Sequence, residues 1–208
     1  MLSRSTVSLM AAAASLFVSC ARQPVAVQPA QIDATAAADR LLEAHDTDGN
    51  GSLSAEEASA CQGLAQHFDR YDTDANGAVS PAEISARIEK WKAAGVGVMR
   101  VGCRVTLNDR PLANANVLLE PYPLLGESLQ RARGTTNAYG QCSLSVAAED
   151  LPPELQRVRG VQPGLYLVRI THPETSVPAK YNTQTTLGLE VASDTISPAG
   201  VELPLTSR

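Results

Sequence analysis

Residues 46–57 read DTDGNGSLSAEE. Asp46, Asp48 and Asn50 place oxygen-bearing side chains at alternate positions, and such groups repel unless something positive sits between them. The spacing fits a hard cation held by a twelve-residue loop. Positions one, three and five offer side-chain oxygens, and Ser52 at position seven offers its backbone carbonyl. Gly51 at position six allows the sharp turn, and Glu57 at position twelve can bind through both carboxylate oxygens. Residues 72–83, DTDANGAVSPAE, repeat the pattern with Asp72, Asp74, Asn76, Gly77, Ala78 and Glu83. Ala78 costs nothing, because position seven supplies only a carbonyl. Asx-rich surface turns that bind nothing are the plain alternative. Two complete loops with matching flanks argue against it.

Those flanks are helical in pattern. The stretch IDATAAADRLLEAH is Ala-rich and leads into the first loop. Ser54 followed by Glu57, and Ser80 followed by Glu83 with Pro81 between them, are helix-starting capping boxes. Leu64, Phe68 and Tyr71 share one face of an entering helix, with Gly63 as the expected break before it. Ile84, Ile88 and Trp91 form the apolar face of the exiting helix. Leu53 and Val79, both at position eight, suit the short backbone pairing by which two loops lie side by side. Residues 33–93 thus resemble an EF-hand pair, more compact than those of calmodulin-like sensors and similar to those of exported bacterial proteins. The resemblance implies two Ca²⁺ ions, one per loop.

The charge follows this module. Residues 33–92 hold twelve acids against five bases, a balance of −7, while the rest of the chain holds twelve bases against ten acids. With a net charge of −5, nucleic acid is not an expected partner. The first twenty residues, MLSRSTVSLMAAAASLFVSC, have Arg4 before an apolar run too short to span a bilayer. They resemble a bacterial lipoprotein signal, which implies lipidation at Cys20. Phe17 departs from the Leu usual in such signals, and cleavage after Ala21 by an ordinary signal peptidase is the alternative. Either route implies export. Ala21 after the cysteine points to the outer membrane by the sorting rule of such lipoproteins. Residues 21–32 read as a tether.

Past the plausible joint AAGVG the period changes from helical to alternating. Val101, Cys103, Val105 and Leu107 share a face, as do Cys142, Leu144 and Val146. Further strands are read in ANVLLEP, PGLYLVRIT, TTLGLEV and AGVELPL, with NDRP and NAYG as turns. Residues 98–207 resemble the carboxypeptidase-regulatory-like, or transthyretin-like, domains of exported bacterial proteins, although Asp109-Arg110 stands where that family often has Gly. The fold class expected from sequence is therefore two domains: an all-α EF-hand pair, then an all-β Ig-like or transthyretin-like sandwich of about seven strands.

Three cysteines remain in the exported chain. Cys103 and Cys142 lie on alternating apolar faces of two strands and are candidates for a disulfide, with three reduced buried thiols as the alternative. Cys61 is on a helical segment and is expected to stay free. No Cys-x-x-Cys pair, zinc-binding His-x-x-Glu or nucleophile–base arrangement is legible, and no enzyme is expected. Two functional readings follow. One is a calcium-binding protein of the cell envelope, anchored by its lipid, with a structural or adhesive β-region. The other is an accessory module whose β-region recognises an unknown protein or surface partner while calcium stiffens the stalk. A sensor role is disfavoured, because sensors expose Met-rich grooves and this chain has three Met.

Overall fold

The computed structural model describes residues 27–207, except 152, 154 and 155. Helix α1 (Ala34–His45) starts where Asp33 Oδ1 accepts the Ala36 N–H at 3.0 Å. The first loop then runs into β1 (Leu53–Ser54). Three single helical turns follow: α2 (Ala55–Ala58), α3 (Gln62–Ala65) and α4 (Phe68–Tyr71). The second loop leads through β2 (Ala78–Val79) into α5 (Pro81–Ala93), which packs along α1.

Gly63 does not break a helix. It lies inside α3, where that turn crosses the sheet. A Cβ on Gly63 would stand 3.2 Å from the Leu189 backbone, and one on Gly188 would stand 2.3 Å from the Gly63 nitrogen. Two glycines facing each other permit backbone-to-backbone contact that no side chain would allow.

The remaining strands are β3 (Val101–Leu107), β4 (Arg110–Pro111), β5 (Asn116–Pro121), β6 (Ala132–Thr135), β7 (Gln141–Val146), β8 (Gly164–Thr171), β9 (Gly188–Val191) and β10 (Val201–Leu205). They form one eight-stranded sheet in the order β10-β3-β7-β6-β5-β8-β9, with β4 paired to β3. All pairings are antiparallel except β10 on β3. The β3–β4 hairpin turns through Asn108 and Asp109, both in the left-handed region at φ 50° and 62°. Asn and Asp tolerate that conformation, so the turn forms without glycine. Cys103 and Cys142 are register partners on β3 and β7, with Cα atoms 5.3 Å apart, and a disulfide joins them.

The fold class expected from sequence is overturned on two counts. The first region is not all-α: its five helices are short, three are single turns, and it carries its own two-stranded ladder. The second is not a sandwich of separate sheets but a single curled sheet whose inward side chains meet. Val101, Val105 and Leu144 join Val117, Leu119 and Val168 in one core. That core also includes Leu41, Leu64, Ile84, Ile88 and Trp91 of the helices, so the helical layer and the sheet bury their apolar faces against each other. All four residues of β9 are buried, because α3 covers the face that an edge strand would otherwise turn to water. Ala30 and Ile32, ahead of α1, are buried as well.

Candidate metal centre

In the first loop, carboxylate oxygens of Asp46, Asp48 and Glu57 lie within 4.8 Å of one another. Opposite oxygens around Ca²⁺ sit about 4.6–5.2 Å apart, twice the usual Ca–O distance, so the triad has the dimensions of a cation shell. The loop backbone holds these groups in place. Asp46 Oδ1 accepts the Gly49 N–H at 2.8 Å, and its Oδ2 accepts the Gly51 N–H at 2.8 Å. Asp48 Oδ1 accepts the Asn50 N–H at 3.0 Å. Asn50 Oδ1 takes the Ser52 N–H at 2.9 Å and the Ser52 hydroxyl at 2.7 Å.

Glu57 closes the loop and starts α2 at once. Its Oε2 accepts the Ser54 N–H at 2.9 Å, and its Oε1 accepts the Thr47 N–H at 2.7 Å and the Thr47 hydroxyl at 2.9 Å. Hydrogen bonds from Ser54, then from Thr47, hold its carboxyl down at about 2. The group is therefore charged at neutral pH with or without a cation.

The second loop has the same construction. Asp72, Asp74 and Glu83 oxygens also lie within 4.8 Å of one another. Asp72 Oδ2 accepts the Gly77 N–H at 2.9 Å, and Asn76 Oδ1 accepts the Ala78 N–H at 2.8 Å. Glu83 accepts from Thr73 at 2.8 Å and from the Ser80 N–H at 2.9 Å. Burial pushes the Glu83 carboxyl up, but the Ser80 and Thr73 hydrogen bonds outweigh it and bring it to about 2. The loops stand back to back through the antiparallel β1–β2 ladder, Leu53 opposite Val79 and Ser54 opposite Ala78. All ten residues singled out in sequence thus fall in two adjoining loops. Thr47 and Thr73 were missed. Their signal was the DTD triplet common to both loops.

What ties each loop to the sheet was also missed. Next to the first loop, His45 Nε2 and Tyr122 Oη are 2.9 Å apart, and the same hydroxyl donates to the Ala60 carbonyl at 3.3 Å. Burial lowers the His45 pKa and raises that of the nearby Cys61 thiol to about 11.

Behind the second loop, Arg87 of α5 donates through Nε to Glu190 Oε1 at 2.7 Å and through both terminal nitrogens to Asp194 at 2.8 Å. Trp91 Nε1 donates to the same Glu190 oxygen at 2.8 Å. Arg87 and Glu190 are almost wholly buried, with side chains 3% and 0% exposed. Lys90 and Arg70 also reach Asp194, at 2.9 and 3.3 Å. The Arg87 hydrogen bonds, joined by Lys90 and outweighing the opposing effect of burial, hold the Asp194 carboxyl well below the carboxylate range. Glu190 Oε2 and the Tyr71 hydroxyl are buried without a hydrogen-bond partner among the described residues. Burial, and then the adjacent Glu190 charge, push the Tyr71 phenol well above its ordinary value.

Cys20, the residue expected to carry lipid, lies outside the described residues, as do residues 1–20 and the first part of the tether. Among the described residues no helix is long and apolar enough to cross a membrane. Comparison with protein-family models, with characterised proteins and with solved structures finds no match to this chain.

Proposed function

We propose that residues 46–57 and 72–83 are calcium loops of the EF-hand type, each taking one Ca²⁺. The observation that carries this reading is the pair of carboxylate triads, each within 4.8 Å, on loops joined by one ladder. Asp46, Asp48, Asn50 and Glu57 would hold the first ion through side chains, with the Ser52 carbonyl. Asp72, Asp74, Asn76, Glu83 and the Ala78 carbonyl would hold the second. Three carboxylates leave an occupied loop at a charge of about −1. With Asn at position five, affinity in the range of about 0.01–1 mM is expected, suited to an extracellular module. The protein is read as an exported, lipid-anchored component of the cell envelope. The Cys103–Cys142 disulfide supports an oxidising compartment.

The sheet serves in this reading as the platform that holds the loops. The alternative, in which the sheet recognises a partner through an apolar patch, gains no support. Tyr139 is the one exposed large apolar side chain among the described residues. Calorimetric titration with calcium tests the proposal. Two sites are expected in the parent protein and one in each of Glu57→Gln and Glu83→Gln. Mass spectrometry of the mature N-terminus tests the anchor: a diacylglyceryl mass on Cys20 supports it, and an unmodified chain beginning at Arg22 refutes it.

A further inference from the structure

The outer face of β5, β6 and β8 carries a second site. Register sets Leu118 of β5 between Arg133 of β6 and Arg169 of β8. The next outward row sets Asn116 between Thr135 and Thr171. Val117, Leu119 and Ile170 on the same strands are buried in the core, so strand alternation turns these six side chains to the open face. They line a half-open cavity of about 520 Å³, within the size range of small-molecule sites.

The two guanidiniums differ in how they are held. Arg169 is fixed: its Nε donates to Glu120 Oε2 at 2.6 Å, and its Nη1 donates to the Asn182 carbonyl. Asn182 is itself tied down, because its Nδ2 donates to the carbonyls of Val177 and Pro178. The other N–H groups of Arg169 have no hydrogen-bond partner among the described residues. Arg133 is paired with Glu149, and both side chains are about two-thirds exposed, at 64% and 65%. Exposed pairs of this kind contribute only about 0–1 kcal/mol, so an incoming carboxylate can displace Glu149 readily. The two arginines stand two strand spacings apart, about 10 Å between backbones, and both line the same cavity as Leu118.

Arginine stems beside a half-buried leucine are an ordinary way to cover apolar surface. That does not account for a guanidinium locked on two sides with donors left open, beside a row of neutral hydrogen-bonding groups. We infer that this trough binds a small organic anion, a carboxylate on a compact apolar body. The carboxylate bridges toward Arg169 and Arg133, and the apolar part rests on Leu118 and the threonine methyls. A planar carboxylate matches the fork of a guanidinium. Glu120 and Glu149 keep the site from being strongly positive, which disfavours polyanions. The inference does not depend on the calcium reading.

Nuclear magnetic resonance titration of the isotope-labelled protein tests it, with phenylacetate as the probe and acetate and benzyl alcohol as its two halves. Saturable shifts confined to β5, β6 and β8 are expected with phenylacetate, and binding at least about tenfold weaker with either half. Arg133→Gln, an exposed change that leaves the core intact, is expected to weaken phenylacetate binding about tenfold, and Leu118→Ala to weaken it comparably. Shifts that never saturate overturn the inference. So does equal binding of acetate, which would mean charge alone, or of benzyl alcohol, which would mean grease alone. An unchanged affinity in Arg133→Gln also overturns it.

Discussion

The two loops share a spacing but not a setting. At position four the first loop has Gly49 at φ 72°, while the second has Ala75 at φ 57°. Both occupy the left-handed region, where an L side chain costs about 1–2 kcal/mol. The first loop is thus built without strain, and its flanks reach the sheet side through separate part-buried hydrogen bonds, Arg40 Nε to the Leu124 carbonyl and the Tyr122 hydroxyl with His45 and the Ala60 carbonyl. The second loop accepts strain but sits directly ahead of α5, whose Arg87 and Trp91 are fastened to Glu190 and Asp194. A deep anchor lets a loop keep a costly backbone conformation. A loop with a shallow anchor has less to offset one.

The largest effect expected from that contrast comes from cutting the second loop's anchor. Arg87→Ala would leave Glu190 charged and buried beside only neutral groups, the Trp91 indole and the Tyr71 hydroxyl. Breaking a buried pair in this way costs about 3–5 kcal/mol, to be read as a fall in the urea midpoint. Calcium binding at residues 72–83 should weaken more than at residues 46–57. Equal weakening of both loops would break the comparison.

Acid should reach the same anchor. The Asp194 carboxyl has its folded pKa depressed below the ordinary 3.8 by Arg87 and Lys90. A depressed pKa means that its contribution is complete above the unfolded value and is lost as pH falls below it. Stability measured by denaturant unfolding should therefore decline as pH drops under about 4, and Asp194→Asn should flatten that decline.

Smaller effects sharpen the contrast between loops. Gly49→Ala should cost about 1 kcal/mol, because a Cβ there meets open space and only the backbone strain remains. Ala75→Gly should relieve the same strain in the second loop, with a gain under about 1 kcal/mol, since glycine also frees the unfolded chain. Of similar size is Tyr122→Phe, which removes the hydroxyl that meets His45 and the Ala60 carbonyl. A loss of about 1 kcal/mol in thermal unfolding is expected, with no change at the second loop.

How much of this was legible in the sequence depended on range. The loops and both capping boxes are set within twelve residues, so spacing alone located Asp46, Glu57, Asp72 and Glu83. Alternation located β3, β5, β7, β8, β9 and β10. It did not show that β10 runs parallel to β3 or that β4 and β6 complete one sheet, because those depend on pairing between distant segments. Gly63 read as a helix break because a glycine facing a backbone looks the same in sequence as a glycine ending a helix. Glu190 read as an ordinary residue of a short strand. It is buried because α3 and α5 cover that strand from about a hundred positions away, and its partner Arg87 carries no local signal.

Calorimetric titration with calcium, on the parent protein and on Glu57→Gln, Glu83→Gln and the double variant, tests the central claim most directly. Two bound ions, one, one and none are predicted, with affinities in the range of about 0.01–1 mM. No heat of binding in millimolar calcium, or binding that survives in the double variant, would contradict it.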